Sequence, residues 1–180
     1  MNEIGTIRLE TERLILRKFE KSDAKEIYEG FLNQKEFLYY TNRKPVNLEE
    51  EKASLENIEE KYKNNNYYNW LITLKSTNQI IGAVNFNVDL KNDSVMFNYA
   101  IDNRFTKNGY MTEALMRVKN FAFNEMNVNR FEGGCVVTNI ASKRVMEKCG
   151  LKQEGILKSY VKLSDGYHDM IMFAEINSKS

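Results

Sequence analysis

A chain of 180 residues, 42% hydrophobic and 28% charged, has the length for one domain with a proper core and the balance of a folded protein rather than a disordered one. Lys plus Arg number 26 against 25 for Asp plus Glu, a net charge of +1, which argues against a dedicated nucleic-acid binder with its clear basic excess. No apolar run approaches about eighteen residues and the start, MNEIGTIRLE, lacks a basic-then-apolar leader, so no membrane partner is expected and the cytoplasm is the default address.

With one proline, Pro45, and no Gly/Ser-rich tract, residues 1–180 read as a single domain without linker or repeat. Cys135 and Cys149 make neither a disulfide framework nor a zinc cluster, and no metal is expected. Residues 11–19 (TERLILRKF) mix β-branched and apolar side chains and read as a first strand. Ser22 is placed to cap a short helix over 23–30. Beyond Pro45, Asn47 and Glu50 form a capping box for a second helix, polar on most faces, which frays at Asn64, Asn65 and Asn66. Residues 67–74 and 79–88 read as hairpin strands around a turn at 75–78, and 96–101 as the next strand.

A polar loop containing Gly109 then leads into a helix from Met111 or Thr112. Ala114, Leu115, Val118, Phe121, Ala122 and Met126 fall on one face of it at spacings of three and four. Residues 129–138 read as a strand weakened by Gly133 and Gly134, a pair that signals a bulge, a splay or the close approach of another backbone. Asn139 caps a further helix with Ile140, Ala141, Val145 and Cys149 as its apolar stripe and Gly150 as its stop. Residues 155–163 and 167–176 close the chain as two strands. The order β-α-α-β-β-β-α-β-α-β-β is that of an α+β domain with a mixed sheet.

The stretch 98–126 organises the rest. A strand, a polar loop and a helix start together turn several free backbone N–H groups to one spot, which makes an anion site of the kind phosphates occupy. The loop has neither GxxxxGK[ST] nor GxGxxG, which excludes a P-loop or dinucleotide-binding reading.

TERLILR near the start, NGYMTEAL at 108–115 and NIASKRVMEKCGLKQEG at 139–155 resemble the GNAT acetyltransferase superfamily. The likeness is greatest to its RimJ/RimL-like branch, which acetylates protein N-terminal amines and small amines. It covers nearly the whole chain, including the closing GYHDMIMFAEI. The resemblance implies a mixed, mostly antiparallel central sheet, flanked by helices on both faces and splayed between the strands at 96–101 and 130–138. Acetyl-CoA, the acetyl donor, would lie in that gap. Its pyrophosphate would rest on Thr106, Lys107, Asn108, Gly109, Tyr110, Met111 and Thr112, with Arg104 and Lys107 as cations within reach. The backbone of Tyr99, Ala100 and Ile101 would run along the thioester and supply a small oxyanion hole. Asn139 would hold the pantetheine arm, and Ser142, the implied catalytic residue, would protonate the departing thiolate.

Three departures from the family pattern stand out. Only the middle glycine of the phosphate loop is kept, as Gly109; a tyrosine common in relatives is Met146; and a glutamate often kept as general base is Met96. The implied reaction is direct attack by a neutral amine, without a covalent enzyme intermediate. An α-amine of pKa about 7.8 costs only about 0.7 kcal/mol to deprotonate near pH 7.4, a lysine of pKa about 10.4 about 4 kcal/mol, so a site without a strong base suits α-amines better. Asp169, His168 and Asp102, acting through water, are the replacement bases to test. Phe31, Phe86 and Tyr160, with Tyr39, Tyr40 and Trp70, are aromatics available to line a pocket for a small-molecule or peptide amine. A monomer or a homodimer fits equally. The competing reading is a CoA-binding sensor or regulatory protein that has lost turnover.

Overall fold

The computed structural model describes residues 1–178. Its strands are β1 (Leu9–Glu10), β2 (Leu14–Arg17), β3 (Tyr68–Leu74), β4 (Ile80–Asp89), β5 (Ser94–Ile101), β6 (Arg130–Val136), β7 (Lys152–Leu163) and β8 (Gly166–Ile176). They form one sheet in the order β1-β2-β3-β4-β5-β6-β8-β7, antiparallel throughout except for the β5–β6 pair. The helices are α1 (Ala24–Ile27), α2 (Lys35–Thr41), α3 (Leu48–Lys61), α4 (Tyr110–Asn124) and α5 (Ile140–Lys148). This is the mixed, mostly antiparallel α+β architecture expected.

Each face of the sheet has its own core. The six apolar residues at helical spacing on and just after α4 are all fully buried, packed with Tyr68, Trp70, Val84, Phe86, Phe97 and Phe131. On the other face Leu55 of α3 and Ile27 of α1 pack with Phe19, Phe31, Leu71 and Ile80. Because helices cover both faces, β3 is buried along its whole length and shows no alternation. The start of α3 is as expected: Asn47 Oδ1 accepts from Glu50 N at 2.9 Å and Glu50 Oε2 from Asn47 N at 2.7 Å.

The fork in the sheet is local and has a visible cause. β5 and β6 pair only at Ser94 with Arg130, Val95 with Phe131 and Met96 with Glu132. Beyond that point the Phe97 ring, stacked on Phe131 at 4.7 Å, lies where a side chain on β6 would be. A Cβ on Gly133 would fall 2.5 Å from that ring, and one on Gly134 would fall 2.5 Å from Met170 Cε. The glycine pair therefore serves close approach and splay together.

Several boundaries differ from expectation. The first strand is only Leu14–Arg17, because Thr11 Oγ1 accepts the Leu14 N–H at 2.9 Å in a turn that sets off the two-residue β1. Ser22 does not cap; Glu20 and Asp23 form the reciprocal cap, and a turn of 3-10 helix (Lys21–Asp23) precedes α1. The helix expected over 23–30 gives way to a wide turn at Tyr28–Leu32, where Gly30 has a non-helical ψ of −116°. α2 was not anticipated: none of its seven residues is buried, so it carries no apolar stripe to read. In α5 the buried positions are Met146 and, just past its end, Cys149. Ile140 is 51% exposed, since the first turn has already left the sheet at Val136.

Candidate active site

One side of the fork leads up β5 to the start of α4. Gly109 takes φ +80°, which an L side chain rarely adopts, and its carbonyl receives the first helical hydrogen bond, from Glu113 N at 3.0 Å. The N–H groups of Tyr110, Met111 and Thr112 are thus left without main-chain acceptors. Those of Lys107, Asn108 and Gly109 likewise find none among the described residues. Met111 offers only its N–H, because its side chain is buried in the core. Six consecutive free amides therefore stand at the positive end of a fifteen-residue helix, an arrangement that suits an anion.

Two residues that the sequence did not single out shape this loop. Arg13 donates to Asn108 O at 3.1 Å, pairs with Glu113 at 2.6 Å and lies 4.5 Å over the Tyr110 ring. Desolvation would raise the Glu113 carboxyl, but hydrogen bonds from Thr11 and Arg13 outweigh it and hold the carboxyl below its usual range. The acid is therefore matched by Arg13 rather than left to repel an anion. Lys148 of α5 lines a cavity of about 440 Å³ with Gly109, Thr112 and Met116, and the acids Glu12 and Glu113 share its wall.

Of the expected cations, Lys107 is exposed and in no ion pair among the described residues, with φ +64°. Arg104 is engaged rather than free: its Nε and Nη2 bind the buried Asp102 carboxylate, and Nη2 lies near Gly30. Thr106 spends its hydroxyl on Asn103 O at 2.9 Å.

The other side of the fork is built by the β6–α5 turn. Asn139 Oδ1 caps α5 by accepting from Ser142 N at 3.1 Å, while its Nδ2 is left to donate elsewhere. Tyr99 reaches across the fork from β5, its hydroxyl 2.7 Å from Ser142 Oγ and 3.1 Å from Ser142 O. Burial pushes the Tyr99 phenol above its ordinary range, so it stays protonated at any working pH. Cys135 sits beside this pair, its thiol also pushed up by burial and 3.8 Å from Asn139 O. Tyr99 was expected to contribute backbone alone, and its contact with Ser142 has no signal in the spacing.

The Asp102 N–H bonds Ile81 O at 2.8 Å, toward β4. Strand alternation then turns the Ile101 and Tyr99 N–H groups into the fork, while that of Ala100 faces β4. Ala100 supplies a small side chain packed against the second core.

The structure removes most of the proposed bases. Asp102 is fully buried; desolvation acts to raise its carboxyl, but hydrogen bonds from Arg104 and Gln34 prevail and hold it low. Asp169 is held low by Lys158 and by the Ser159 N–H. His168 Nε2 lies 2.7 Å from Asp165, which also accepts from the Tyr39 hydroxyl at 3.0 Å, an arrangement that ties the β7–β8 hairpin to α2. At the apex of the fork Met96 faces Glu132 across the pair, and Glu132 is itself held by Arg130 at 2.7 Å.

The aromatic expectations fare no better. Phe31 is 4% exposed and packs edge-on against Phe37, so it is a core residue. Phe86 borders a cavity of about 700 Å³ between α3 and the sheet, but its ring stacks on Tyr68 at 4.6 Å. Tyr160 is 62% exposed on a bulge of β7 and lines no cavity described above.

The chain was compared with known proteins on this footing. Residues 13–152 match the model of the acetyltransferase (GNAT) domain. The N-acetyltransferase YoaA of Bacillus subtilis is 27% identical, over 85% of this chain and 87% of its own. The alanine N-acetyltransferase of ribosomal protein uS5 from Escherichia coli is 22% identical, over 96% of this chain and 92% of its own. Among solved structures, the ribosomal L7/L12 α-N-protein acetyltransferase RimL in complex with coenzyme A superposes with a TM-score of 0.80 at 20% identity, covering 97% of this chain and 100% of that one. With the family match spanning most of a chain whose sheet forks beside a free helix start, this protein belongs to the GNAT acetyltransferases.

Proposed function

We propose that the chain takes acetyl-CoA into the β5–β6 fork and passes the acetyl group directly to an α-amine, on a peptide or protein N-terminus or on a small molecule. The observation that carries this reading is the pairing of six free amides at the α4 start with the Tyr99–Ser142 contact across the fork. Acetyl-CoA supplies an activated carbonyl on a good leaving group. The amides from Lys107 to Thr112, with the Lys107 side chain, balance phosphate charge. The Tyr99 and Ile101 N–H groups are placed to polarise a carbonyl oxygen between the strands. Ser142 Oγ donates a hydrogen bond to the departing sulfur while the Tyr99 hydroxyl, which keeps its own proton, supports it from behind, and the proton lost by the attacking amine ends on the thiol. The coenzyme complex of RimL and the acceptor named for the uS5 enzyme support this choice of donor and acceptor class.

The test is the melting temperature with acetyl-CoA, with AMP as the control. Ligand at a hundred times its dissociation constant adds about 2.7 kcal/mol, or roughly 5–11 °C for a domain of this size. No shift at millimolar acetyl-CoA would remove the donor from the reading.

A further inference from the structure

The cavity of about 700 Å³ between α3 and the sheet has a lining that the transfer chemistry does not use. Five asparagines line it: Asn57, Asn66, Asn69, Asn85 and Asn87. Arg43 and Lys61 are the charged residues of its wall, and no Asp or Glu contributes. Neither cation forms an ion pair among the described residues; each lies 5.8 Å from a ring, Arg43 from Phe37 and Lys61 from Tyr67.

The acids of α3 are directed elsewhere. Glu49, Glu56 and Glu60 pair with Lys52, Lys21 and Lys63. Glu50 caps the helix, Glu59 accepts from the Lys21 N–H, and Glu51 is buried, near Arg43 but outside the lining. A helix rich in glutamate thus presents a positive, amide-lined wall to this cavity.

The same cavity leads to the fork. Asn69 pairs with Asn85 across β3–β4, and Asn85 pairs with Asn98 across β4–β5, so three carboxamides stand in a row on one face. Asn98 Nδ2 lies 3.4 Å from Asn85 Oδ1, and Asn87 is opposite Met96, at the apex of the fork. With strands about 4.8 Å apart, the row spans about 10 Å, the reach of roughly three extended residues. A carboxamide both donates and accepts, as a peptide group does, and the volume is that of a site for a whole small ligand rather than one amine.

We propose that this cavity holds the body of the acceptor, and that the acceptor is a peptide with a carboxylate about three or four residues behind its N-terminal amine. The inference rests on the acyl-transfer reading above and adds the substrate class. The asparagine row runs beside the peptide backbone, and Arg43 with Lys61 selects the acidic side chain.

The test measures binding apart from turnover. N-acetylated hexapeptides with Asp or Lys at their fourth and fifth residues are titrated, by fluorescence anisotropy, into the CoA-saturated protein. The Asp peptide is expected to bind about tenfold more tightly, with the difference shrinking as salt is added. R43Q/K61Q should lose the preference with little change in melting temperature, since both side chains are exposed, and R43E/K61E should invert it, with its fold checked by circular dichroism because Glu51 is buried near Arg43. Equal binding of the two peptides, a preference unaltered in the variants, or free aspartate binding as tightly as the peptide would overturn the inference. Parallel initial rates with unacetylated peptides separate the two levels. A charge preference in binding without any acetylation refutes the transfer reading alone, and acetylation without a charge preference refutes this one alone.

Discussion

At pH 7.4 the α-amine of a peptide is expected to be acetylated about 300-fold faster, as kcat/KM, than a lysine ε-amine in the same peptide. The factor is the ratio of neutral fractions for amines of pKa about 7.8 and about 10.4, and it survives only if the enzyme does not remove the proton itself. The structure supports that condition. Met96 stands at the apex of the fork, and the carboxylate across from it, Glu132, is held by Arg130. Asp102 and Asp169 are both kept low by cations and N–H donors, which makes them weak proton acceptors. His168 is engaged with Asp165 in the hairpin that docks on α2.

The pH dependence follows the acceptor. The rate on the α-amine should climb from pH 6.5 and level off above about pH 9, as the amine loses its proton. Initial rates on a free-amine peptide and on its N-terminally blocked, lysine-containing counterpart check both statements. Comparable rates on the two would point to a basic group of the enzyme and end the account of Met96.

Ser142→Ala is expected to lower kcat by about 10–100-fold, with KM for acetyl-CoA changed less than about twofold, because the hydroxyl acts on a charge that develops only as the thiolate leaves. Tyr99→Phe should cost about tenfold through loss of its hydrogen bond to Ser142. The double variant should be no worse than Ser142→Ala, since two groups in one hydrogen-bonded chain are not additive. Losses that multiply would assign Tyr99 and Ser142 separate roles. Asn139 still caps α5 through its own side chain in every variant, so changes in melting temperature should stay small.

What could be read from the sequence was what obeys a period or a turn rule. The buried face of α4, the Asn47–Glu50 box and the glycine pair at the fork all carry local signals, and each lies where those signals put it. α2 carried none, since a short helix with no buried residue leaves no stripe. The site divided in the same way. The loop amides were legible because strand, glycine and helix start follow one another in the chain. Arg13, Lys148 and the hydroxyl of Tyr99 were not, because folding brings them to the site from 95, 39 and 43 residues away from Asn108, Gly109 and Ser142 respectively. Arg104 misled for a physical reason: a cation beside a phosphate loop meets the buried Asp102 carboxylate first. Asn69 and Asn85 of the α3 cavity lie in strands that the sequence showed, but only the strand register sets them in a row with Asn98 beside the fork.

The measurement that bears most directly on the central claim is mass spectrometry of enzyme and peptide together, alongside thiol release, after mixing with acetyl-CoA and a free-amine peptide. Direct transfer predicts one acetyl group on the peptide α-amine for each thiol released, and no acetyl group on the protein when the peptide is left out. An acetylated Cys135 or Ser142 in the absence of peptide would contradict direct transfer, and no thiol release with any α-amine would contradict the transferase reading itself.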